Sequence, residues 1–94
     1  KSISNELAAE GITVNNILPG PIETQRLFAI IKGTAQKKGI SEEASAAQMK
    51  ETVPAGRFGK PEELGYLAAF LCSAYASYIN GVSIPVDGGR TSSL

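Results

Sequence analysis

The hydrophobic pattern at the start of the chain predicts the end of a helix followed by a strand. Ile3 and Leu7 stand four positions apart among good helix formers, and Gly11 is the residue type that closes a helix. The β-rich run Ile12–Leu18 comes next and predicts one strand, which Pro19-Gly20-Pro21 ends. Because no capping residue precedes the helix, we expect the sequence to open inside an element of a longer chain.

The middle of the chain, residues 22–53, turns to Ala, Lys, Glu and Gln, a composition that predicts helices. We expect a helical stretch around Arg26 to Lys32, a break over Gly33 to Gly39, and a second helix opened by Ser41. The lysines and glycines of the break indicate a mobile, solvated segment. A long, weakly hydrophobic insertion is typical of a lid or binding loop, although a plain surface connection is at least as common.

The last third of the chain contains the clearest helix and a second strand. Pro61 suits the first helical position, and Glu62 and Glu63 suit the positive end of the helix. Apolar residues then follow helical spacing over Leu64–Leu71, so this helix has much apolar surface to bury against a sheet or another subunit. Val82–Val86 alternates apolar and polar residues, and the Pro within it is typical of an edge strand.

This order of strand, helices and strand predicts a parallel crossover unit and therefore an α/β fold. Parallel sheets are normally covered on both faces and have further strands as neighbours. Two strands whose helices can cover only one face of the sheet do not make a stable domain by themselves. We therefore expect the chain to form the end of a larger doubly wound parallel sheet.

Composition removes several classes of function. The 94 residues carry nine Lys and Arg against nine Asp and Glu, which gives no argument for nucleic acid or a membrane surface as a partner. The absence of His, with one Cys, removes the usual zinc and haem ligand sets and the Ser-His-Asp triad. No apolar run approaches the roughly 20 residues that span a bilayer, and the start is unlike a signal peptide. We expect a cytoplasmic protein.

Other side chains carry weaker signals. Cys72 follows an apolar helix with no basic residue close in sequence, so we expect buried packing rather than a reactive thiol. Tyr66 and Tyr78 are expected to be half-buried packing groups. Four basic residues fit either a solvated helix face or contact with an acidic carrier protein; they are Arg26, Lys32, Lys37 and Lys38.

Two blocks of residues point to a known family. The first is Asn5-Glu6-Leu7-Ala8-Ala9-Glu10-Gly11-Ile12-Thr13-Val14-Asn15 with Pro19-Gly20-Pro21-Ile22-Glu23-Thr24. The second is Arg57-Phe58-Gly59-Lys60-Pro61-Glu62-Glu63-Leu64, then Ser77-Tyr78-Ile79-Asn80-Gly81 and Val86-Asp87-Gly88-Gly89. In order and spacing they resemble the short-chain dehydrogenase/reductase family, with most similarity to its 3-oxoacyl-(acyl carrier protein) reductase type.

The resemblance implies the C-terminal part of a Rossmann-type doubly wound sheet, with this chain supplying the last two strands and their crossover helices. It implies one segment, residues 1–94: a helix end, strand and cofactor loop (1–24), a substrate lid (25–53), and a helix and last strand (54–94). It also implies an oxidoreductase that transfers hydride between NAD or NADP and a small carbonyl or alcohol substrate. A homodimer or homotetramer is expected, with no nucleic acid or membrane partner.

Within the cofactor loop the resemblance assigns Pro19, Gly20, Ile22 and Thr24 to cofactor binding. Such loops lie at strand carboxyl ends, where open α/β sheets bind ligands. Gly20 would let the backbone approach the nicotinamide ring, the N–H of Ile22 would bond the carboxamide, and Thr24 would add a hydroxyl to the carboxamide or pyrophosphate. Taken alone, Pro19-Gly20-Pro21 is explained by the end of a strand. Glu23, Thr24 and the second block of residues favour a cofactor-binding loop instead.

The family's catalytic pair is absent from these residues. A Tyr followed four positions later by Lys lets the phenol protonate a developing alkoxide, but Phe70, Ile79 and Val82 stand four after the three tyrosines. The resemblance places the catalytic Ser, Tyr and Lys, and the Gly-rich phosphate loop, before Lys1. We therefore expect the 94 residues alone to catalyse nothing.

Several alternatives stay open from the sequence. The chain could be a non-catalytic binding or assembly piece, or belong to an enoyl reductase relative. Glu10 stands where carrier-protein reductases tend to have a basic residue, so small ketones, sugars and other alcohols compete with acyl carrier protein as partners. The residues that choose between NAD and NADP are expected upstream.

Overall fold

Two short parallel strands, linked by helices, organise the chain. A computed structural model describes residues 2–90. Its elements in order are α1 (Ser2–Ala8), β1 (Asn16–Pro19), α2 (Gln25–Lys38), α3 (Glu42–Glu51), α4 (Pro61–Leu71), a 3-10 turn (Ala74–Ala76) and β2 (Ser83–Val86). The strands pair in parallel from Asn16 opposite Ser83 to Pro19 opposite Val86, which confirms the predicted crossover unit.

The first strand is shorter than predicted. We expected Ile12–Leu18, but β1 covers only Asn16–Pro19, so the prediction for residues 12–15 was wrong. Side chains replace strand pairing there: the Val14 N–H donates to Asn80 Oδ1 at 3.0 Å, and Asn15 Nδ2 donates to the Ile79 carbonyl at 3.2 Å. The residues before β1 are therefore held by asparagine side chains and by one backbone hydrogen bond, from the Gly81 N–H to the Val14 carbonyl at 2.9 Å, instead of a continuous ladder.

Helix α2 continues through the glycine at which we predicted a break, so that prediction was wrong. Leu27, Ile31 and Ala35 are buried along one face of α2, and this burial outweighs the cost of about 1 kcal/mol for a glycine in a helix. The helix ends instead at Gly39, which has the left-handed φ of 66°. The segment predicted to be mobile is thus helical over most of its length.

The core of the described chain lies between α2 and α3. Leu27 and Ile31 pack with Phe58, and Ala46 and Met49 of α3 cover this cluster. The buried Ser45 hydroxyl donates to the Ile31 carbonyl at 2.9 Å, which ties α3 to α2. The two helices consequently form one unit beside the sheet.

Helix α4 begins at Pro61 as predicted, but its apolar surface is only partly covered within residues 2–90. None of its residues is buried, and Phe70 is 44% exposed. Tyr66 is 75% exposed and Tyr78 is fully exposed, and neither is half-buried. Cys72 is exposed rather than buried, so these three predictions were wrong. Burial at these positions depends on contacts that the described residues do not supply.

The described chain is elongated. Its radius of gyration is 17.0 Å and its extents are 55 × 24 × 20 Å, whereas a compact domain of this size has a radius of about 12 Å. An elongated shape leaves apolar side chains such as Ile3 and Leu18 in water. Among the described residues, no helix is both long enough and apolar enough to cross a membrane.

Candidate functional site

The loop that follows β1 lies against the end of β2. The Gly20 N–H donates to the Val86 carbonyl at 2.9 Å and continues the strand ladder by one residue. A Cβ at Gly20 would lie 2.6 Å from the Cβ of Asp87, so only glycine fits between the two strand ends. The requirement for glycine comes here from the neighbouring backbone, in addition to any approach of a ligand.

Ile22 presents a backbone donor at this edge. It forms an isolated parallel bridge with Gly59, in which the Gly59 N–H donates to Pro21 and the Glu23 N–H donates to Gly59, each at 2.9 Å. The Ile22 N–H points away from Gly59 in such a bridge and forms no hydrogen bond within residues 2–90. The bridge and the buried Ile22 side chain together fix the direction of this donor.

Thr24 ends the loop and begins α2. Its Oγ1 accepts a hydrogen bond from the Leu27 N–H at 3.3 Å, which makes it the N-cap of the helix. A threonine hydroxyl has one proton as well as acceptor lone pairs. Capping therefore leaves that proton available for an acceptor on a bound molecule.

A cavity of about 620 Å³ lies beside this loop, and all four residues that we assigned to the cofactor line it: Pro19, Gly20, Ile22 and Thr24. Residues of α2, α3 and α4 also line it, among them Ile30, Met49 and Leu64. The volume is in the range of small-molecule sites. The structure thus brings the four predicted residues together in the lining of a space large enough for a ligand.

An ion pair fixes the segment that bears Gly59. Arg57 Nη1 and Nη2 donate to Glu63 Oε1 and Oε2 at 2.8 and 2.9 Å, and the Lys60 N–H donates to Glu63 Oε1 at 2.9 Å. The Arg57 hydrogen bond, followed by that of Lys60, lowers the pKa of Glu63 to about 2. The ionised Glu63 therefore holds Arg57, which precedes Phe58 and Gly59, against the first turn of α4.

A second junction ties the starts of the two strands together. Asn80 accepts from the Val14 N–H and donates from Nδ2 to the Ser4 carbonyl at 3.1 Å. Asn15 binds in the opposite direction, from the first segment to the second. Its Oδ1 accepts from the Val82 N–H at 3.1 Å, and its Nδ2 donates to the Ile79 carbonyl. The two sequence blocks therefore contact each other at both ends of the sheet.

Several residues of the site were not identified from the sequence. Arg26 was assigned to a helix face or a carrier-protein contact, whereas it lines the cavity, and Arg90 also lines it without having been singled out. Asn15 and Asn80 were part of the quoted blocks but received no role. Asn15 directly precedes β1 and Asn80 lies three residues before β2, so the signal that could have found them is an asparagine near the start of each strand.

The comparisons with known proteins agree over nearly the whole chain. A family model described as enoyl-(acyl carrier protein) reductase matches residues 1–91. NADPH-dependent reductase BacG of Bacillus subtilis (strain 168) is 42% identical over 94 residues, which are 100% of this chain and 36% of that protein. The 3-oxoacyl-[acyl-carrier-protein] reductase FabG of Aquifex aeolicus (strain VF5) is 42% identical over 89 residues, covering 95% of this chain and 32% of that protein.

A solved structure supports the same assignment. A short chain dehydrogenase family protein from Francisella tularensis subsp. tularensis SCHU S4 superposes with a TM-score of 0.94 at 33% identity, covering 99% of this chain and 38% of that one. The chain thus spans about a third of the length of the proteins that it matches. The α/β fold of Rossmann type is confirmed. By these matches the chain belongs to the short-chain dehydrogenase/reductase family.

Proposed function

We propose that this chain forms the nicotinamide-side loop and the substrate lid of an NAD(P)-dependent oxidoreductase. The whole protein would transfer hydride between the nicotinamide and a carbonyl or alcohol substrate. The observation that supports the proposal is that Ile22 lines the 620 Å³ cavity at the carboxyl end of β1, while its N–H forms no hydrogen bond within residues 2–90. The NADPH-dependent reductase named among the relatives supports the same cofactor class, with NADP as the first to test.

The residues of the loop have separate tasks in this proposal. The nicotinamide supplies or accepts the hydride when it is bound. Ile22 donates its N–H to the carboxamide oxygen, and Thr24 donates its remaining hydroxyl proton to the carboxamide or to a pyrophosphate oxygen. Pro19 forms the wall beside them, and Gly20 keeps the loop against the end of β2. Together these contacts hold one orientation of the ring.

The proton of the reaction requires a further group. Reduction of a carbonyl consumes a hydride and a proton, and none of the tyrosines here has a lysine four residues later. In this proposal a donor outside the 94 residues provides the proton. The chain contributes cofactor orientation and substrate enclosure.

Residues 25–53 are proposed as the substrate lid. They form α2 and α3, and three of their apolar side chains, Leu27, Ile30 and Met49, line the cavity. Leu27 is also part of the buried cluster with Ile31, so the two helices would move as a unit. A lid built in this way could exclude water from the reacting centre when it closes.

We further propose a homodimer or homotetramer in the cytoplasm. The support for an oligomer is the apolar surface of α4, where Tyr66 is 75% and Phe70 is 44% exposed. Such a surface is typical of a protein interface. The single Cys72, which has no disulfide partner in the chain, is compatible with a reducing compartment.

A cofactor titration of the full-length protein tests the main proposal. Ile22→Pro removes the N–H, whereas Ile22→Val keeps it and serves as the control. Because a hydrogen bond contributes about 0.5–1.5 kcal/mol, we expect Ile22→Pro to weaken NADPH binding about two- to tenfold, while Ile22→Val leaves it unchanged. Binding is followed by NADPH fluorescence.

A second pair of variants guards against misfolding of the proline variant. Thr24→Val removes the hydroxyl, and Thr24→Ser retains it. Because Thr24 also caps α2, Thr24→Val should lose about 0.5–2 kcal/mol of stability, so binding is compared at a temperature at which both variants are folded. Under that condition we expect Thr24→Val to weaken NADPH binding more than Thr24→Ser. Failure of the parent protein to bind NADPH or NADH, or undiminished binding by folded Ile22→Pro and Thr24→Val, would contradict the proposal.

A further inference from the structure

Two arginines line the 620 Å³ cavity, and neither has a carboxylate partner among the described residues. Arg26 is the second residue of α2, and Arg90 follows the end of β2, so the two come from segments far apart in the chain. Neither forms an ion pair within residues 2–90, where the ion pair found is that between Arg57 and Glu63. Two arginine residues therefore line the cavity, and no described carboxylate forms an ion pair with either of them.

The rest of the cavity wall is neutral. Its apolar side consists of Leu27, Ile30, Met49 and Leu64, and no described residue lining the cavity is an Asp or Glu. The carboxylate residues Glu63 and Asp87 line a neighbouring hollow of about 60 Å³ together with Arg57. Among the described residues, the cavity thus combines positively charged and apolar side chains, and none of its lining residues is acidic.

We propose that this cavity selects a substrate with an extended apolar body and one anionic group, which Arg26 and Arg90 bind. This inference rests on the proposed oxidoreductase function and names its substrate class. The apolar wall excludes a substrate covered with hydroxyl groups, because buried hydroxyls without partners are costly. A guanidinium binds carboxylate and phosphate with paired N–H donors, so the anion could be of either kind.

Three ligands of equal chain length test the charge requirement. They are octanoate, octan-1-ol and octylammonium, titrated calorimetrically into the full-length protein saturated with NADPH. We expect octanoate to bind most tightly and octylammonium least tightly. Arg26→Gln and Arg90→Gln should each weaken octanoate binding about two- to fivefold, the effect of an exposed charge pair, and leave octan-1-ol binding unchanged.

Lys32→Gln is the matched control. Lys32 is an exposed residue of helix α2 that does not line the cavity. Its substitution by Gln removes one positive charge, as does each arginine substitution. We expect no change in octanoate binding. Equal binding of the three ligands, binding of none of them, or octanoate binding that is insensitive to both arginine substitutions would overturn the inference.

The same titrations separate this inference from the proposed function. Octanoate is also titrated without NADPH. If NADPH displaces octanoate, the arginines bind the cofactor phosphates, and the inference is wrong. If octanoate binds through the arginines but the protein binds neither NADPH nor NADH, the oxidoreductase proposal is wrong while the anion-binding apolar cavity stands.

Discussion

Gly20 and Asp87 pack so closely that a Cβ on Gly20 would come within 2.6 Å of the Asp87 Cβ and 2.8 Å of its Cα. The contact joins the loop after β1 to the residue after β2. Because the Asp87 backbone is part of the contact, a rotamer change cannot relieve it. The position of the loop that bears Ile22 thus depends on the absence of a side chain at residue 20.

Gly20→Ala should therefore be destabilising. Overpacking against backbone costs about 1–3 kcal/mol, and the loop must shift to accommodate the methyl group. We expect a lower free energy of unfolding and weaker NADPH binding in the full-length protein. Gly33→Ala is the control, because Gly33 lies inside α2 with nothing within 4 Å of its added Cβ and should gain about 0.5–1 kcal/mol. Equal denaturation midpoints for the two variants would show that the Gly20 contact is unimportant.

Local rules in the sequence were sufficient for the start of α4, because Pro61 has a φ preference that suits the first turn of a helix. Gly39 ends α2 through its own φ preference, but the sequence did not distinguish it from Gly33. The break predicted at Gly33 failed because burial of Leu27 and Ile31 on α3 is a tertiary effect. Exposure of Tyr66 could not be predicted for the same reason.

Only part of the cavity lining was predictable. Pro19 to Thr24 are contiguous, so a resemblance carried by that run places them together. Met49, Leu64 and Arg90 join the lining from three other segments. Likewise Asn80 and Val14 are 66 positions apart, and no local pattern reports their hydrogen bond. Long-range placement of side chains was thus the part that the sequence could not provide.

Asn80 should contribute to stability through both ends of its amide. Asn80→Ala leaves the Val14 N–H without its partner and removes the donor to the Ser4 carbonyl. We expect a loss of about 1–3 kcal/mol in the free energy of unfolding, measured by urea denaturation. Asn80→Asp keeps the acceptor for Val14 and should lose less at neutral pH. Asn5→Ala, on the exposed face of α1, is the control, and a loss as large as that of Asn80→Ala would contradict the assignment.

The Arg57–Glu63 pair predicts a specific acid sensitivity. Hydrogen bonding to Arg57 lowers the pKa of Glu63 from its ordinary value of 4.5 to about 2 in the folded state. A lowered folded-state pKa stabilises the protein above the unfolded-state value, and this contribution is lost as pH falls from about 4.5 towards 2. Between these pH values the free energy of unfolding should fall more steeply for the parent than for Glu63→Gln.

Glu62→Gln provides the comparison for that experiment, since it removes a carboxylate from the same turn of α4 without touching Arg57. Its pH dependence should match that of the parent. Because both members of the pair are exposed, about 1 M salt should reduce the difference between parent and Glu63→Gln. Parallel pH curves for parent and Glu63→Gln would show that the pair contributes nothing.

The apolar surface of α4 should be an interface in the assembled protein. Phe70→Asp places a charge on that surface, and we expect a smaller mass by light scattering because a charge is costly to bury between subunits. Phe28→Asp changes an equally accessible aromatic on α2, with 54% exposure against 44% for Phe70, and should leave the mass unchanged. An unaltered mass for Phe70→Asp would argue against α4 as the contact.

The isolated 94-residue chain should not fold cooperatively. Its sheet has two strands, its radius of gyration is 17.0 Å, and Leu18 on β1 and Phe70 on α4 are 50% and 44% exposed. Apolar burial is the main favourable term in folding, and too little is available to offset the entropy of ordering the chain. A circular dichroism melt should therefore show a shallow decline without a transition. A sharp, reversible melt of a monomer would instead favour the alternative that the chain is an independent binding or assembly module with no catalysis of its own.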